Sequence, residues 1–411
     1  MSSVSPSDPR MRGFARRSTV DDAFHWIQNN AQLRDSELIS ILQCCGRTLA
    51  QEVTSRVNVP GFRRAMMDGY AIRAVDSEGA STLNRLPVQV IGEVLPGQTS
   101  DLVIGVGEAV RIMTGAAVPA GCDAVVPVER TESDRDDKVF LVDPLTPGKN
   151  VARVGEDIAE NNVVLSTGRA LRPQDVGVLS SIGVSEVQVV RRPRVRIVVT
   201  GNELLPPGSV PRDFQIVDAN SPMLAGLIER DGGIALNPGI IPDNVESITE
   251  ALHDDVDVVL VSGGSSVGKE DFAPSLLARD GNLAIHGIAM RPSSPAGMGT
   301  LGNRLVFLLP GNPVSCLCAY DFFAGRAIRM LGGRATNWPY RSVHLPLRRK
   351  LVSTVGRVDY ARVQLIDGAV EPIAISGASM LSSTTRADGF VVIAGDSEGY
   401  PEDKVVEVFL Y

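Results

Sequence analysis

Val256-Asp-Val-Val-Leu-Val-Ser262, running straight into Gly263-Gly-Ser-Ser-Val-Gly268 and Lys269-Glu-Asp271, decides how the rest of the 411-residue chain is read. Five of the first six residues are valine or leucine, with Asp257 the exception. A short β-branched run closed by glycines reads as a strand buried on both faces. Glycine then permits a tight turn that brings backbone N–H groups up to a ligand. Gly263, Gly264 and Gly268 supply that freedom, and Ser265 and Ser266 add hydroxyl donors. Phe272, Leu276 and Leu277 open a predicted helix whose N-terminal dipole favours an anion in the loop. Asp271 sets a carboxylate beside the same loop, which suits a hydrated divalent cation arriving with a phosphate. An ordinary βα turn carries glycines too, and the pattern is neither a Walker loop nor a dinucleotide fingerprint.

Outward from this strand, helices and strands alternate over residues 194–331. Val195–Thr200 is a predicted buried strand followed by Gly201-Asn-Glu203 and a Pro206-Pro-Gly208 loop. Asn220-Ser221-Pro222 starts a helix carrying Met223, Leu224, Leu227 and Ile228, stopped by Gly232-Gly233. Ile240-Ile-Pro-Asp243 ends the next strand, and Asp243 or Asn244 caps a helix with Val245, Ile248 and Leu252. Leu305–Leu309 is a last strand, turning through Pro310-Gly-Asn-Pro-Val-Ser315 into a helix that reaches about Leu331. This alternation implies a doubly wound parallel sheet with ligand loops at the carboxyl ends of its strands. Glu203, Asp243, Asp271, the 263–268 loop and Asn312–Ser315 each follow a strand, so one sheet edge should gather them. The helix beginning at Pro313 is expected to offer free N–H groups to an anion.

The flanks differ. Residues 1–17, rich in Ser, Pro and Arg, read as a disordered basic tail without the apolar region of a signal peptide. Ser18 or Thr19 caps a helix with Val20, Phe24 and Ile27 on one face. In Phe62-Arg-Arg-Ala-Met-Met-Asp-Gly-Tyr-Ala71 the Asp-Gly step is a turn signal, for which the plain alternative is a hairpin with Asp68 at its tip. Residues 86–145 are glycine-, proline- and valine-rich with strand-like alternation, a small all-β insertion in which Thr114 and Gly115 close a strand. Pro173 to Ile182 forms a helix, and residues 341–411 return to β, as a barrel or sandwich.

Composition narrows the function classes. Charged residues make up 21% and hydrophobic ones 44%, as in globular proteins. A net charge of −8 argues against nucleic-acid or anionic-membrane binding. Five cysteines without C-x-x-C spacing read as buried thiols of a reducing cytoplasm, and with four scattered histidines they argue against a zinc site. No run approaches a membrane span.

Six segments, in order and spanning nearly the whole chain from residue 18, resemble the MoeA family of molybdopterin molybdenumtransferases, to which the E domain of gephyrin is related. They are Met67-Asp-Gly-Tyr-Ala71, Arg111-Ile-Met-Thr-Gly-Ala116, Gly155-Glu-Asp157, Thr200-Gly-Asn-Glu-Leu204, Ser262–Asp271 and Leu309-Pro-Gly-Asn-Pro-Val-Ser315. The resemblance implies an α/β multidomain chain. Domain I (18–60 and 147–190) is mixed and helical, and domain II (61–146) is an inserted β domain. Domain III (191–335) is the doubly wound molybdopterin-binding module, and domain IV (336–411) is a C-terminal β-barrel. It further implies a homodimer in which Asp68 and Asp157 act in trans, and contact with a molybdopterin adenylyltransferase and with molybdoenzymes. The implied reaction joins molybdate to adenylylated molybdopterin and releases AMP, with Mg²⁺ held by Glu203, Asp243 and Asp271. Catalytic roles fall to those three with Asp68 and Asp157. Substrate contacts fall to Thr114, Gly263, Gly264, Ser265, Ser266, Gly268, Arg291, Pro295, Asn312, Ser315 and Arg362.

The chain also departs from the family. A lysine-rich stretch of the type K-x-A-x-K-P-G-K-P reads Gly287-Ile-Ala-Met-Arg-Pro-Ser-Ser-Pro295, so only Arg291 keeps its charge. A Ser-Gly pair in the C-terminal domain reads Ala378-Ser379, and F-D-N-S reads Phe62-Arg-Arg-Ala65. Arg63 and Arg64 are expected to replace part of the missing lysine charge across the dimer cleft. The losses at Gly287 and Ser294 motivate the competing reading of a weakened molybdopterin-binding or scaffold paralogue, against which the three acidic residues speak. A phosphoanhydride hydrolase built on the same module would lack the M-D-G-Y-A and M-T-G-A segments.

Overall fold

The computed structural model describes residues 17–135, 137–263, 272–374 and 377–411. They fall into two compact units, one made of the described residues within 17–37, 46–48 and 189–411 and the other of those within 38–45 and 49–188.

At the centre of the first unit, Val258–Ser262 is buried at every position. It lies between Arg194–Thr200 and Arg304–Leu309, parallel to both. Ile234–Leu236 and Ile240–Ile241 extend the sheet beyond Arg194–Thr200, also parallel. Because side chains alternate along a strand, Val258 and Leu260 join one apolar cluster and Val259 and Val261 another. Asn220–Arg230 (through Leu224 and Ile228) and the segment from Pro313 to Leu331 cover the first face. Val245–Leu252 and Phe272–Asp280 cover the second. Each fully buried valine or leucine is worth about 1.5–3 kcal/mol, and helices on both faces let the strand bury all of them.

The sheet is mixed rather than wholly parallel. Gly297–Leu301 pairs antiparallel with Arg304–Leu309, and Asn282–His286 pairs antiparallel with Gly297–Leu301. Periodicity misses this edge because glycines interrupt it for a packing reason. A Cβ on Gly299 would stand 2.1 Å from the Asn282 carbonyl oxygen, so the close strand approach excludes a side chain there.

Helix starts follow the capping rules. Thr19 and Asp22 form a reciprocal capping box for Val20–Asn30, whose Val20, Ala23 and Ile27 are buried in the first-face cluster. Of the two candidates for the next cap, Asn244 accepts from the Ser247 N–H. The helix after Asn312 runs through a π-helical turn, Tyr320–Ala324, before continuing to Leu331.

Residues 341–411 contribute Arg341–Pro346, Val358–Ile366, Ala369–Ala374, Gly389–Ile393 and Val405–Leu410 to a sheet that also takes Met290–Arg291 in parallel with Val358 and Asp359. Phe322, Trp338, Tyr360 and Phe390 knit this sheet to the α/β layer, with centroid separations of 4.8 Å for Phe322–Trp338 and 4.3 Å for Tyr360–Phe390.

In the second unit a six-stranded sheet runs Ala124–Pro127, Gly69–Ile72, Glu108–Ile112, Leu86–Val94, Lys138–Leu141, Thr131–Arg135. Ala71 belongs to the cluster on one face, and Tyr70 and Ile72 to the cluster on the other. Asp68 is therefore not a hairpin tip. It precedes a strand flanked on both sides, by Glu108–Ile112 and Ala124–Pro127. Four cysteines are buried, while Cys45 is exposed, against the expectation of five buried thiols. No helix among the described residues is long and apolar enough to cross a membrane.

Candidate active site

Strand register brings the predicted loops to one edge. Thr200 pairs with Ile241, Val199 with Ser262, and Ser262 with Leu309, so four strands end level. Glu203, Asp243, Gly263 and Asn312 follow those ends and line one cleft of about 740 Å³, together with Asp218, Asn220 and Ser379. Gly263 has a left-handed φ of +97°, and a Cβ there would stand 2.6 Å from the Thr200 carbonyl oxygen. Only glycine turns the chain at that point. Gly264, Ser265, Ser266, Gly268 and Asp271 lie outside the described residues.

Asp218 and Asn220 were not legible as cleft residues, although an Asp two positions before a helix-starting Asn is a capping signal. The Asp218 carboxylate accepts from the Asn220 and Ser221 N–H groups at 2.9 and 3.0 Å and from the Ser221 hydroxyl. Asn220 Nδ2 donates to the Gly311 carbonyl at 2.7 Å and to Ser262 Oγ at 2.9 Å, tying three strand-end loops together. A carbonyl can only accept, so the amide orientation is fixed. Its Oδ1 is buried without a partner among the described residues, as is Thr200 Oγ1. Among the described residues these two atoms face the cleft with the carboxylates of Glu203, Asp218 and Asp243. Among the described residues no three His, Cys, Asp or Glu side chains form a metal-holding group. Glu203 and Asp243 nevertheless place hard oxygen donors on one cleft.

The second unit has its own cleft of about 590 Å³, lined by Arg64, Met66, Thr114, Gly115, Glu156 and Asp157 among others. Asp68 Oδ1 accepts from both the hydroxyl and the N–H of Thr114, each at 2.6 Å. The hydroxyl and then the amide hold the Asp68 carboxyl below the usual range. Arg63 and Arg64 part company. Arg63 donates to the Cys122 carbonyl at 2.9 Å, whereas Arg64 lines the cleft.

Three family models match in sequence order. Residues 18–183 match "MoeA N-terminal region (domain I and II)", residues 196–329 match "Probable molybdopterin binding domain", and residues 344–411 match "MoeA C-terminal region (domain IV)". The molybdopterin molybdenumtransferase of Haemophilus influenzae is 31% identical over 87% of this chain and 89% of its own. The chain belongs to the MoeA family of molybdopterin molybdenumtransferases. That of Staphylococcus aureus is 29% identical over 95% of both chains. The crystal structure of the molybdopterin biosynthesis MoeA protein from Pyrococcus horikoshii superposes with a TM-score of 0.83 at 31% identity, covering 96% of this chain and all of that one. This family acts in molybdenum cofactor biosynthesis.

Other expected substrate residues of this MoeA-family chain lie elsewhere. None of Arg291, Pro295, Ser315 and Arg362 is among the described residues lining the 740 Å³ cleft. Arg291 pairs with the fully buried carboxylate of Asp359, which also meets Arg357 at 3.2 Å and accepts from Ser353 Oγ at 2.8 Å. Ser315 is buried, and its carbonyl accepts from Ser293 Oγ at 2.6 Å. Arg362 is fully buried, with Nη1 3.4 Å from the Gly377 carbonyl. Of the N–H groups expected to be free at the helix after Asn312, Pro313 has none and that of Val314 donates to the Ala378 carbonyl at 3.0 Å.

Proposed function

We propose that this chain joins molybdate to adenylylated molybdopterin with release of AMP, in a Mg²⁺-dependent reaction at the carboxyl edge of the first unit's sheet. The carrying observation is that Glu203, Asp243, Gly263 and Asn312, which follow four different strands, line one cleft. Cleaving a phosphoanhydride calls for charge neutralisation and positioning more than for a covalent nucleophile. Mg²⁺ binds through one or two carboxylates plus substrate phosphates, so Glu203 and Asp243, with Asp271, would hold it. When bound, the ion neutralises phosphate charge developing in the transition state. The Gly263 turn lets backbone approach the phosphates without a side chain in the way, and Asn220 holds the Ser262 and Gly311 loops at fixed spacing around them. Thr200 Oγ1 and Asn220 Oδ1 suit the N–H-rich edge of a heterocycle. We extend the reading to a cytoplasmic homodimer in which Asp68 and Asp157 act on substrate held by the partner.

Incubation with adenylylated molybdopterin, Mg²⁺ and molybdate or tungstate, following AMP release, tests this. Asp243→Ala is expected to slow release by about 100-fold or more. No AMP from the unaltered protein, or a wild-type rate from Asp243→Ala, would sink it. Mixing Asp243→Ala with Asp68→Ala subunits is expected to recover part of the activity each lacks alone; no recovery overturns the dimeric arrangement.

A further inference from the structure

Phe214 is 96% exposed at the tip of a short loop, in a unit where Phe307, Phe322, Phe323 and Phe390 pack into the core. The loop is well anchored. Gln215 N donates to the Arg212 carbonyl at 3.0 Å, closing a turn in which Asp213 has a left-handed φ of +51°. Ile216–Val217 then pairs in parallel with Leu204–Leu205, and the Ile216 N–H donates to the carbonyl of Glu203 at 3.0 Å. Phe214 is two residues from Ile216, a span of at most about 7 Å. Leu204, Ile216 and Val217 line the candidate active site, whereas Glu203, Asp218, Asn220 and Asp243 supply its polar lining. Those three residues give the cleft an apolar stretch, and the exposed Phe214 lies just before it in the chain.

We propose that Phe214 is a positioning residue that stacks on the fused planar heterocycle of the bound substrate and closes the apolar stretch over it. The inference rests on the reading of this cleft as the nucleotide-cleaving site. Carboxylates and a cation can manage phosphate charge, but they give a ring no face to lie against. An aromatic side chain gives any fused ring a π-face without requiring a particular hydrogen-bond pattern. The proline-rich loop, with Pro206, Pro207 and Pro211, limits the freedom lost when it closes. The ring can be the adenine or the pterin, which share this chemistry.

Phe214 packs against little, so its variants retain the fold. Phe214→Ala, Phe214→Leu and Phe214→Trp, titrated with AMP, with neopterin and with ribose 5-phosphate, separate the cases. The Ala and Leu variants are expected to bind AMP or neopterin about tenfold more weakly. The Trp variant should bind as the unaltered protein does, with its fluorescence quenched, and ribose 5-phosphate should bind all four proteins alike. Whichever ring compound responds identifies the stacked ring. Unchanged affinity of Phe214→Ala for both overturns the proposal, as does an equal loss of ribose 5-phosphate affinity. A change in sedimentation with ring affinities intact also overturns it, giving Phe214 to a protein contact. If the unaltered protein binds neither ring compound, the active-site reading itself fails and takes this inference with it.

Discussion

Asp257, the one charge in an otherwise apolar strand sequence, is explained by what it holds. Its carboxylate accepts from both terminal nitrogens of Arg191 at 2.9 Å and from the Arg194 N–H at 2.7 Å, and it lies 3.2 Å from Arg34 Nε. Burial alone would push its pKa up, but the Arg191 guanidinium and the Arg194 amide outweigh that and hold it below the ordinary value. A depressed folded-state pKa adds stability above the unfolded value, and this is lost as pH falls through the folded one. Asp257→Asn is expected to lower the unfolding free energy by about 2–3 kcal/mol at neutral pH, less than for a fully buried pair because the arginines are partly exposed. Urea unfolding checks it, and the gap from wild type should narrow below the carboxylate range. At this scale Glu203 and Asp243 were legible as cleft residues because chain position after a strand implies edge position. The neutralisation of Arg291 by Asp359 was not, since 68 residues separate the partners and no local pattern joins them.

Among elements, the central strand and its two-sided helical cover follow from the valine run, but the antiparallel edge does not. Gly297-Met-Gly-Thr-Leu301 carries no alternating pattern, because two of its positions must be bare where neighbouring backbones approach. Gly299→Ala is therefore expected to destabilise the unit by about 1–3 kcal/mol or more. Hydrogen exchange should show lost amide protection in Asn282–His286 and Gly297–Leu301, with Val258–Ser262 still protected. Protection unchanged at the edge would contradict the close approach. The helix after Asn312 shows the converse limit. Its start was readable from Pro313, yet the group that meets its first available N–H comes from residue 378, far along the chain.

At the scale of the first unit, two sheets share an aromatic joint. The chain has two tryptophans: Trp26 sits 6.2 Å from Phe307 in the α/β core, and Trp338 meets Phe322, Phe390 and Phe409 at the joint. Phe390→Ala should cost about 3–5 kcal/mol. In a Trp26→Phe background, where Trp338 reports alone, it should also shift emission to the red; unchanged emission would mean the joint repacks without admitting water. The Ala378 carbonyl on the Val314 N–H adds a polar stitch beside the aromatic one, next to Asn312 and Ser379 in the cleft wall. The last seventy residues are thus no interchangeable appendage. A chimera that swaps them between relatives must import the turn at 377–379 in matching geometry, or it will leave a bare amide beside Asn312 at the candidate cleft.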